Sequence, residues 1–599
     1  MHYVIQPVNL SAHLYLVTCE VEAPDLAGQF FSLPIWIPGS YMVREFARNI
    51  VTMSASCVGA AVELVKVDKS TWRAAPCVGP LLLRYEVYAW DLSVRTAHLD
   101  MTHGFFNGSS VFVMVDGKEH HALTVDILPP AVGADGWRVA TSMRLAGAEG
   151  YGFGRYAADN YDELIDHPVE MGTFVLASFE VAGVPHDVVV TGRHKADLVR
   201  LCADLKVICE TEVAFFGGLP GIDRYLFLVM VVGDGYGGLE HRASCSLLCS
   251  RHDLPLLGKV EQSDAYRGFL GLCSHEYFHT WNVKQIKPAV FMPYDLSKEA
   301  YTRQLWAFEG ITSYYDDLLL LRSGLVDADG YLQLLAQGMT RVWMGAGRFK
   351  QSVAESSFDA WTKFYRQDEN SVNAIVSYYA KGSVIALALD LTIRKVTENK
   401  RSLDDVMLRL WREYGQAGVG LMEGEIERIA AEVAGVPLDD FFNRYLYGTD
   451  DQPIEALLAQ VGVGFSLRPA RSADDKGGRS AGKRRLSPRL VLGAKCTADP
   501  LGVKLAAIFS GGAAESAGLA AGDVVVALDH IRVSHSTLDV VLEQYGAGDR
   551  VAVHAFRRDE LLCFELSLQA APLDRVELSL LENLDDKALV WRTSWMKGG

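Results

Sequence analysis

His275-Glu276-Tyr277-Phe278-His279 sets two imidazoles four positions apart, with a carboxylate beside the first. On a helix, four residues turn through about 400° and rise about 6 Å, so both rings share one face and can grip a single ion. Neutral imidazoles suit zinc. Glu276, at the next position, reaches a metal-bound water rather than the metal. A third ligand should be a carboxylate or imidazole on a neighbouring element. Glu309, in Trp306-Ala307-Phe308-Glu309-Gly310, opens the next helical run and is the best candidate; Glu299 is nearer in sequence but stands among polar residues. Two histidines and one glutamate leave a zinc position open, as in catalytic rather than structural sites. The chemistry is hydrolysis: zinc brings the pKa of its water to about 7. Glu276 takes the proton as general base and passes it to the leaving amine. A positioned donor such as a Tyr hydroxyl shares the charge that builds on the carbonyl oxygen. The plainer reading is a helix carrying two structural histidines.

The elements that must position these groups are legible in outline. Residues 1–165 are rich in strand segments such as HLYLVTCEVEA and LLLRYEVYAW, separated by Pro38-Gly39 and Asn107-Gly108. No stretch of helical length with a 3.6 period stands out there, which predicts an N-terminal β domain. Residues 166–465 read as a catalytic region, strand-like as far as about 258. Helical periodicity then covers 259–282, 300–323, 327–345, 375–397, 402–415, 423–434 and 437–447. Residues 466–489 are rich in Gly, Ser and Arg and read as a basic linker. A compact β domain follows at 490–572, then a tail at 573–599. The fold class expected is multidomain α+β.

Composition narrows the functions. The chain has 599 residues, with 57 Lys and Arg against 74 Asp and Glu, a net charge of −17. That surface repels phosphate backbones, so nucleic acid is not expected as a partner. The cluster Arg479, Lys483, Arg484, Arg485 and Arg489 reads as a solvated linker before a nucleic-acid patch. The longest apolar run, Tyr225 to Val232, is strand length, so no membrane partner is expected. The ten cysteines are scattered, without CxxC pairs, and the N-terminus does not read as a secretory signal. A cytoplasmic protein with reduced thiols is expected.

HEYFHTWNVKQIKP followed by LWAFEGITSYY resembles the glycyl aminopeptidase family of zinc metallopeptidases, thermolysin-like enzymes whose third ligand is a glutamate. PIWIPGSYMVREFARN (34–49), GGLEHR (237–242) and YYAKGS (378–383) match further motifs of that family in order. The 29 residues between His279 and Glu309 exceed the spacing of the related aminopeptidase N family, which implies an extra loop at about 283–300. The resemblance implies a thermolysin-like catalytic domain with a helical lobe and one zinc ion. It implies an enzyme removing N-terminal residues, Gly or Ala by preference, from peptides with a free N-terminus. By the same resemblance Glu240 pairs with the substrate α-amine, and Gly237 and Gly238 let a peptide backbone approach the edge strand. Tyr379 is the implied oxyanion donor, with Tyr378 as the alternative. Trp281, Trp306 and Tyr314 read as core packing.

Residues 501–568 resemble a PDZ domain of the bacterial protease type. Leu501, Gly502 and Val503 stand where such domains receive a peptide C-terminus. An interdomain prop that binds nothing is the equal alternative. Two rival functions remain beside the aminopeptidase: a zinc endopeptidase, and a PDZ scaffold with a vestigial metal site.

Overall fold

The computed structural model describes residues 1–479 and 489–598. Chain contacts divide it into two compact units, Met1–Tyr301 with Leu410–Met422, and Thr302–Arg409 with Glu423–Gly599.

The first unit begins with an eight-stranded sheet that includes His2–Asn9, Leu14–Val21, Leu81–Tyr88 and Ile50–Cys57 as neighbours. These strands alternate buried and exposed positions: Tyr3 and Ile5, Tyr15 and Val17, Leu83 and Tyr85 face one core. Period-2 alternation of this kind makes a sheet with one covered face. The two α-helices among the first 165 residues, Gly108–Val111 and Tyr161–Ile165, and the 3-10 helix Phe46–Asn49 are each about a single turn. Here the β-rich expectation and the structure agree.

A five-stranded sheet follows: β1 (Val175–Val181), β2 (Val184–Thr191), β3 (Tyr225–Val232), β4 (Tyr236–Glu240) and β5 (Ser244–Ser250), in the order β1-β2-β3-β5-β4. β3 is parallel to β2 and β5, is buried almost throughout, and reads accordingly as an unbroken apolar run. β4 is the antiparallel edge strand, pairing Gly238 with Leu247 and Glu240 with Cys245.

The strand-like expectation for this region misses a helix of 19 residues, α1 (Leu198–Phe216). Its buried face, Leu201, Cys202, Leu205, Ile208, Cys209, Glu212, Val213 and Phe216, has the helical period, but two cysteines and a glutamate dilute the apolar stripe. The stop signals were present: Asp197 caps the Arg200 amide and Gly217 closes the helix at φ 80°. α2 (Asp264–Phe278) packs against α1, β4 and β5. It starts five residues later than the periodicity suggests, because the Ser263 side chain caps the Tyr266 amide.

In the second unit a π-helical turn, Trp306–Gly310, leads into α3 (Ile311–Arg322). α4 (Ala328–Trp343) and α5 (Ala380–Val396) pack with it. A Cβ on Gly310 would lie 2.6 Å from the Gly382 Cα and 2.9 Å from the Tyr378 carbonyl oxygen. The turn and α5 therefore meet backbone to backbone, and the glycine that weakens the helical pattern in sequence is what permits the contact. α5 begins at Ala380 rather than at 375, which leaves Tyr379 at its N-terminal boundary.

The linker and tail boundaries need correction. Ser466–Pro469 belong to the strand Val463–Pro469, which pairs antiparallel with Leu573–Leu580, so the start of the linker and the start of the tail are held in one sheet. The Val576 amide donates to the Thr340 hydroxyl of α4 at 3.0 Å. The helix Asp586–Lys597 docks on α3, its Trp595 Nε1 donating to the Tyr314 hydroxyl at 2.9 Å. Strand pairing across more than a hundred residues leaves no local signal. Arg479 pairs with Asp329 and Arg489 with Asp539. Lys483, Arg484 and Arg485 lie outside the described residues. The C-terminal sheet runs Ala494–Ala498, Val503–Ile508, Val524–Leu528, Arg550–Arg557 and Glu560–Ser567, with the helix Leu538–Leu542 beside its core. Among the described residues, no helix is long and apolar enough to cross a membrane.

Gly310→Ala forces this backbone contact apart and should cost about 1–3 kcal/mol, the range for overpacking. A thermal melt showing no loss of stability would mean that the turn and α5 do not depend on the contact.

Candidate functional site

In the first unit the residues singled out from sequence come together around the end of α2. The rings of His275 and His279 lie 4.6 Å apart between centroids at 86°. His279 is buried, and its Nδ1 lies 2.7 Å from the Asn282 carbonyl oxygen. A carbonyl accepts only, so Nδ1 carries the proton and Nε2 keeps the lone pair that a metal needs. One ligand atom each from Glu240, Glu276 and His279 lie within 4.8 Å of one another, all three side chains buried. The site thus gathers two carboxylates beside one imidazole.

Glycines make this possible. A Cβ on Gly238 of β4 would lie 1.9 Å from Glu276 Oε1, so the α2 carboxylate rests against bare backbone. Gly39, at φ 91°, stands in the same way against Glu240: its Cβ would come within 2.6 Å of both carboxylate oxygens. The segment 34–49 therefore includes the wall against which Glu240 lies. Arg95 Nη2 donates to the Gly238 carbonyl at 3.3 Å and steadies the edge strand. Glu240 Oε1 is buried with no hydrogen-bond partner among the described residues.

Behind β4 a buried ionic network holds the motif in place. Asp166 accepts from Lys284 Nζ at 2.9 Å and from the Arg242 amide at 3.1 Å, and lies 3.2 Å from His241 Nδ1. Burial raises the Asp166 carboxyl, but Lys284 and Arg242 outweigh it and hold its pKa well below the ordinary value. One carboxylate so ties the segment after Glu240 to the segment after His279. Val283, between that lysine and Asn282, takes φ 152°, an uncommon conformation for a β-branched residue.

In the second unit, Glu309 lies in the π-helical turn and is 2% exposed. Such turns often mark functional positions. The Tyr379 hydroxyl is pushed well above its ordinary pKa, by burial first and then by the Glu309 carboxylate, and stays a proton donor. It lies 3.4 Å from the Tyr365 hydroxyl. Tyr378 is fully buried. Lys381, also in the YYAKGS motif, is buried, and desolvation brings its pKa down to about 8. Its Nζ donates to the Arg348 carbonyl at 3.0 Å. Trp281, Trp306 and Tyr314 are core residues.

Leu501, Gly502 and Val503 lie in the C-terminal sheet. The Leu501 amide donates to Asp499 Oδ1 at 2.9 Å, Leu501 is exposed, and Val503 opens a strand. Asn373 joins this sheet to the segment before Tyr379: its Nδ2 donates to the Ile508 carbonyl at 2.7 Å, and its Oδ1 accepts from the Ser510 amide at 2.9 Å.

Sequence reasoning missed Gly39, Arg95, Asp166, Asn282, Lys284 and Tyr365 as supports. Of these, Gly39 carried a signal, as the glycine of a Pro-Gly turn; the others act through long-range packing that spacing does not encode.

Comparison with known proteins adds the following. Residues 2–173 match the Peptidase M61 N-terminal domain, and residues 268–385 match the M61 glycyl aminopeptidase domain. No curated protein sequence matches the chain. The solved structure of an aminopeptidase N family protein from Idiomarina loihiensis is 41% identical, covers 99% of each chain and superposes with a TM-score of 0.95. An M1 zinc metallopeptidase from Deinococcus radiodurans is 14% identical over 76% of this chain and 94% of its own, at a TM-score of 0.48.

Gly238→Ala should displace the Glu276 carboxylate while sparing the fold. If Glu276 serves as a general base, turnover of a dipeptide with a free N-terminus should fall about 100-fold, the low end of what such a base contributes. Unchanged turnover would mean that the position of Glu276 does not limit the reaction.

Proposed function

The chain belongs to the M61 glycyl aminopeptidase family of metallopeptidases, and from that premise we propose that it is a zinc aminopeptidase removing N-terminal residues, Gly or Ala by preference, from peptides. We assign His275, His279 and Glu309 as the ligands of one zinc ion. The donor types fit the metal: two imidazoles on consecutive turns, one with its tautomer set by Asn282, and a buried carboxylate. Zinc held there supplies Lewis acidity and a water of lowered pKa.

The chain's own side chains do the rest. Glu276 accepts the proton of the attacking water and delivers it to the leaving amine. Tyr379, kept protonated, donates to the oxygen on which charge develops. Its partly exposed position favours it over the fully buried Tyr378.

The observation that carries the exopeptidase reading is the Glu240 carboxylate, 3% exposed, its Oε1 without a hydrogen-bond partner among the described residues and lying beside Glu276 and His279. A buried carboxylate without a partner is costly, and a cation relieves that cost. The α-ammonium of a peptide is such a cation, and binding it would set the first peptide bond for cleavage. Gly237 and Gly238 on the edge strand would let the substrate backbone lie along β4. An endopeptidase would leave Glu240 unmatched, and a scaffold would have no use for Glu276.

We read the C-terminal sheet as a PDZ-like domain, with Leu501, Gly502 and Val503 facing a peptide C-terminus. The Asn373 contacts equally favour a prop that steadies the segment before Tyr379. A cytoplasmic location suits ten cysteines that are all free.

Glu276→Gln should keep the fold and metal content while lowering hydrolysis of Gly-p-nitroanilide by about 10²–10⁴-fold; full activity would overturn the mechanism. Glu240→Ala should raise KM for substrates with a free amine and leave any slow cleavage of N-acetylated peptides unaffected. Equal losses on both substrates would remove the anchor role.

A further inference from the structure

We propose that the N-terminal β domain contains a second metal site, built from His98, Asp100 and His103 at the tip of a hairpin, for a zinc-like divalent ion. The site shares no residue with the catalytic constellation and does not rest on its assignment.

The hairpin joins the strands Ala97–Leu99 and His103–Phe106, with Phe105 opposite His98 and Gly104 opposite Leu99. The Asp100 amide donates to the His103 carbonyl, which continues the pairing by one step. Cross-strand partners share a face and next-but-one residues share a face, so His98, Asp100 and His103 all project to one side. Glu170 pairs with Phe105 on the next strand and joins them there. One ring nitrogen from each histidine and one Asp100 oxygen lie within 4.8 Å of one another. Ligands about 2.0–2.2 Å from one tetrahedral zinc ion stand roughly 3.3–3.6 Å apart, so the side chains close on an ion by drawing in by up to about 1.5 Å.

The partners of each group favour an ion over a plain buried cluster. His103 Nδ1 lies 3.2 Å from Glu170 Oε1, which also accepts from the Thr191 hydroxyl at 3.0 Å. A carboxylate on one nitrogen holds the proton there and leaves Nε2 as a lone pair, the arrangement usual behind metal-ligating histidines. His103 is 2% exposed, and its Nε2 has no partner among the described residues. A second orphan, His98 Nδ1, is buried in the stacked ring beside it, the two centroids 4.9 Å apart. The Asp100 Oδ1 is occupied by the Thr102 amide and hydroxyl and by the His103 amide. Its Oδ2 is hydrogen-bonded to His98 Nε2 at 3.3 Å. Asp100 keeps 29% side-chain exposure, which offers an ion a route in and room for water.

The rival occupant is one trapped water: a cavity of about 20 Å³ beside His103, Glu170 and Ser246 has room for it.

The test is metal stoichiometry on the full-length protein, stripped with chelator, reloaded with cobalt(II) and dialysed. Wild type should retain two ions per chain, and His103→Gln one, with kcat unchanged. His275→Ala/His279→Ala should also retain one, now at a site outside the catalytic pair. Asp100→Asn, in an exposed turn, should fold normally and weaken the second ion at least ten-fold, the usual effect of perturbing a site's carboxylate. One ion in wild type with none lost in His103→Gln or Asp100→Asn overturns the proposal and leaves the water in its place.

Discussion

Two carboxylates, Glu240 and Glu276, are held buried against His279, and the first unit is organised by what that requires. Like charges at this distance repel, and in a medium of low dielectric they need cations, hydrogen bonds or both. At Glu240 Oε1 the described residues supply no hydrogen-bond partner. A helix end, a sheet edge and a Pro-Gly turn surround the two carboxylates. A metal ion and a substrate ammonium are the two cations that a metallo-aminopeptidase handles.

Close approach is the second constraint. Carboxylates can lie flat on backbone only where there is no Cβ, which is why Gly39 and Gly238 stand where they do. The second unit repeats the device with Gly310 and Gly382, which bring the turn bearing Glu309 against the helix that begins after Tyr379. Burial first, and then the Glu309 carboxylate, raise the pKa of the tyrosine. Rigid support comes from groups that touch no reacting atom. Asp166 ties together the segments that follow Glu240 and His279, and the buried Lys381 ammonium is held by backbone carbonyls.

The hairpin cluster at His98, Asp100 and His103 obeys the same logic on a smaller scale. Its carboxylates are oriented by turn amides and hydroxyls, one imidazole lies against Glu170, and His98 Nδ1 and His103 Nε2 are buried without a partner among the described residues. Pleated alternation alone is enough to gather those side chains. The cluster is therefore as much a product of strand register as the catalytic pair is a product of helical pitch.

What sequence determined is what depends on short range. The pitch of a helix makes His275 and His279 neighbours, adjacency puts Glu276 at hand, and alternation along strands 2–9 and 81–88 makes a half-buried sheet. Longer motifs in order were enough to point to the family and, through it, to Glu240 and Tyr379. The rest was decided by packing between segments far apart in the chain. No spacing rule reveals that Gly39 walls Glu240, that Asn282 sets the His279 tautomer, or that residues 573–580 pair with a strand begun at 463. Helix α1 escaped notice because its buried face mixes cysteine and glutamate with leucine, so that only the folded core distinguishes it from neighbouring strands. Local geometry is written in neighbouring residues; which backbone surfaces touch is settled only when the whole core closes, because each close contact needs both partners in place.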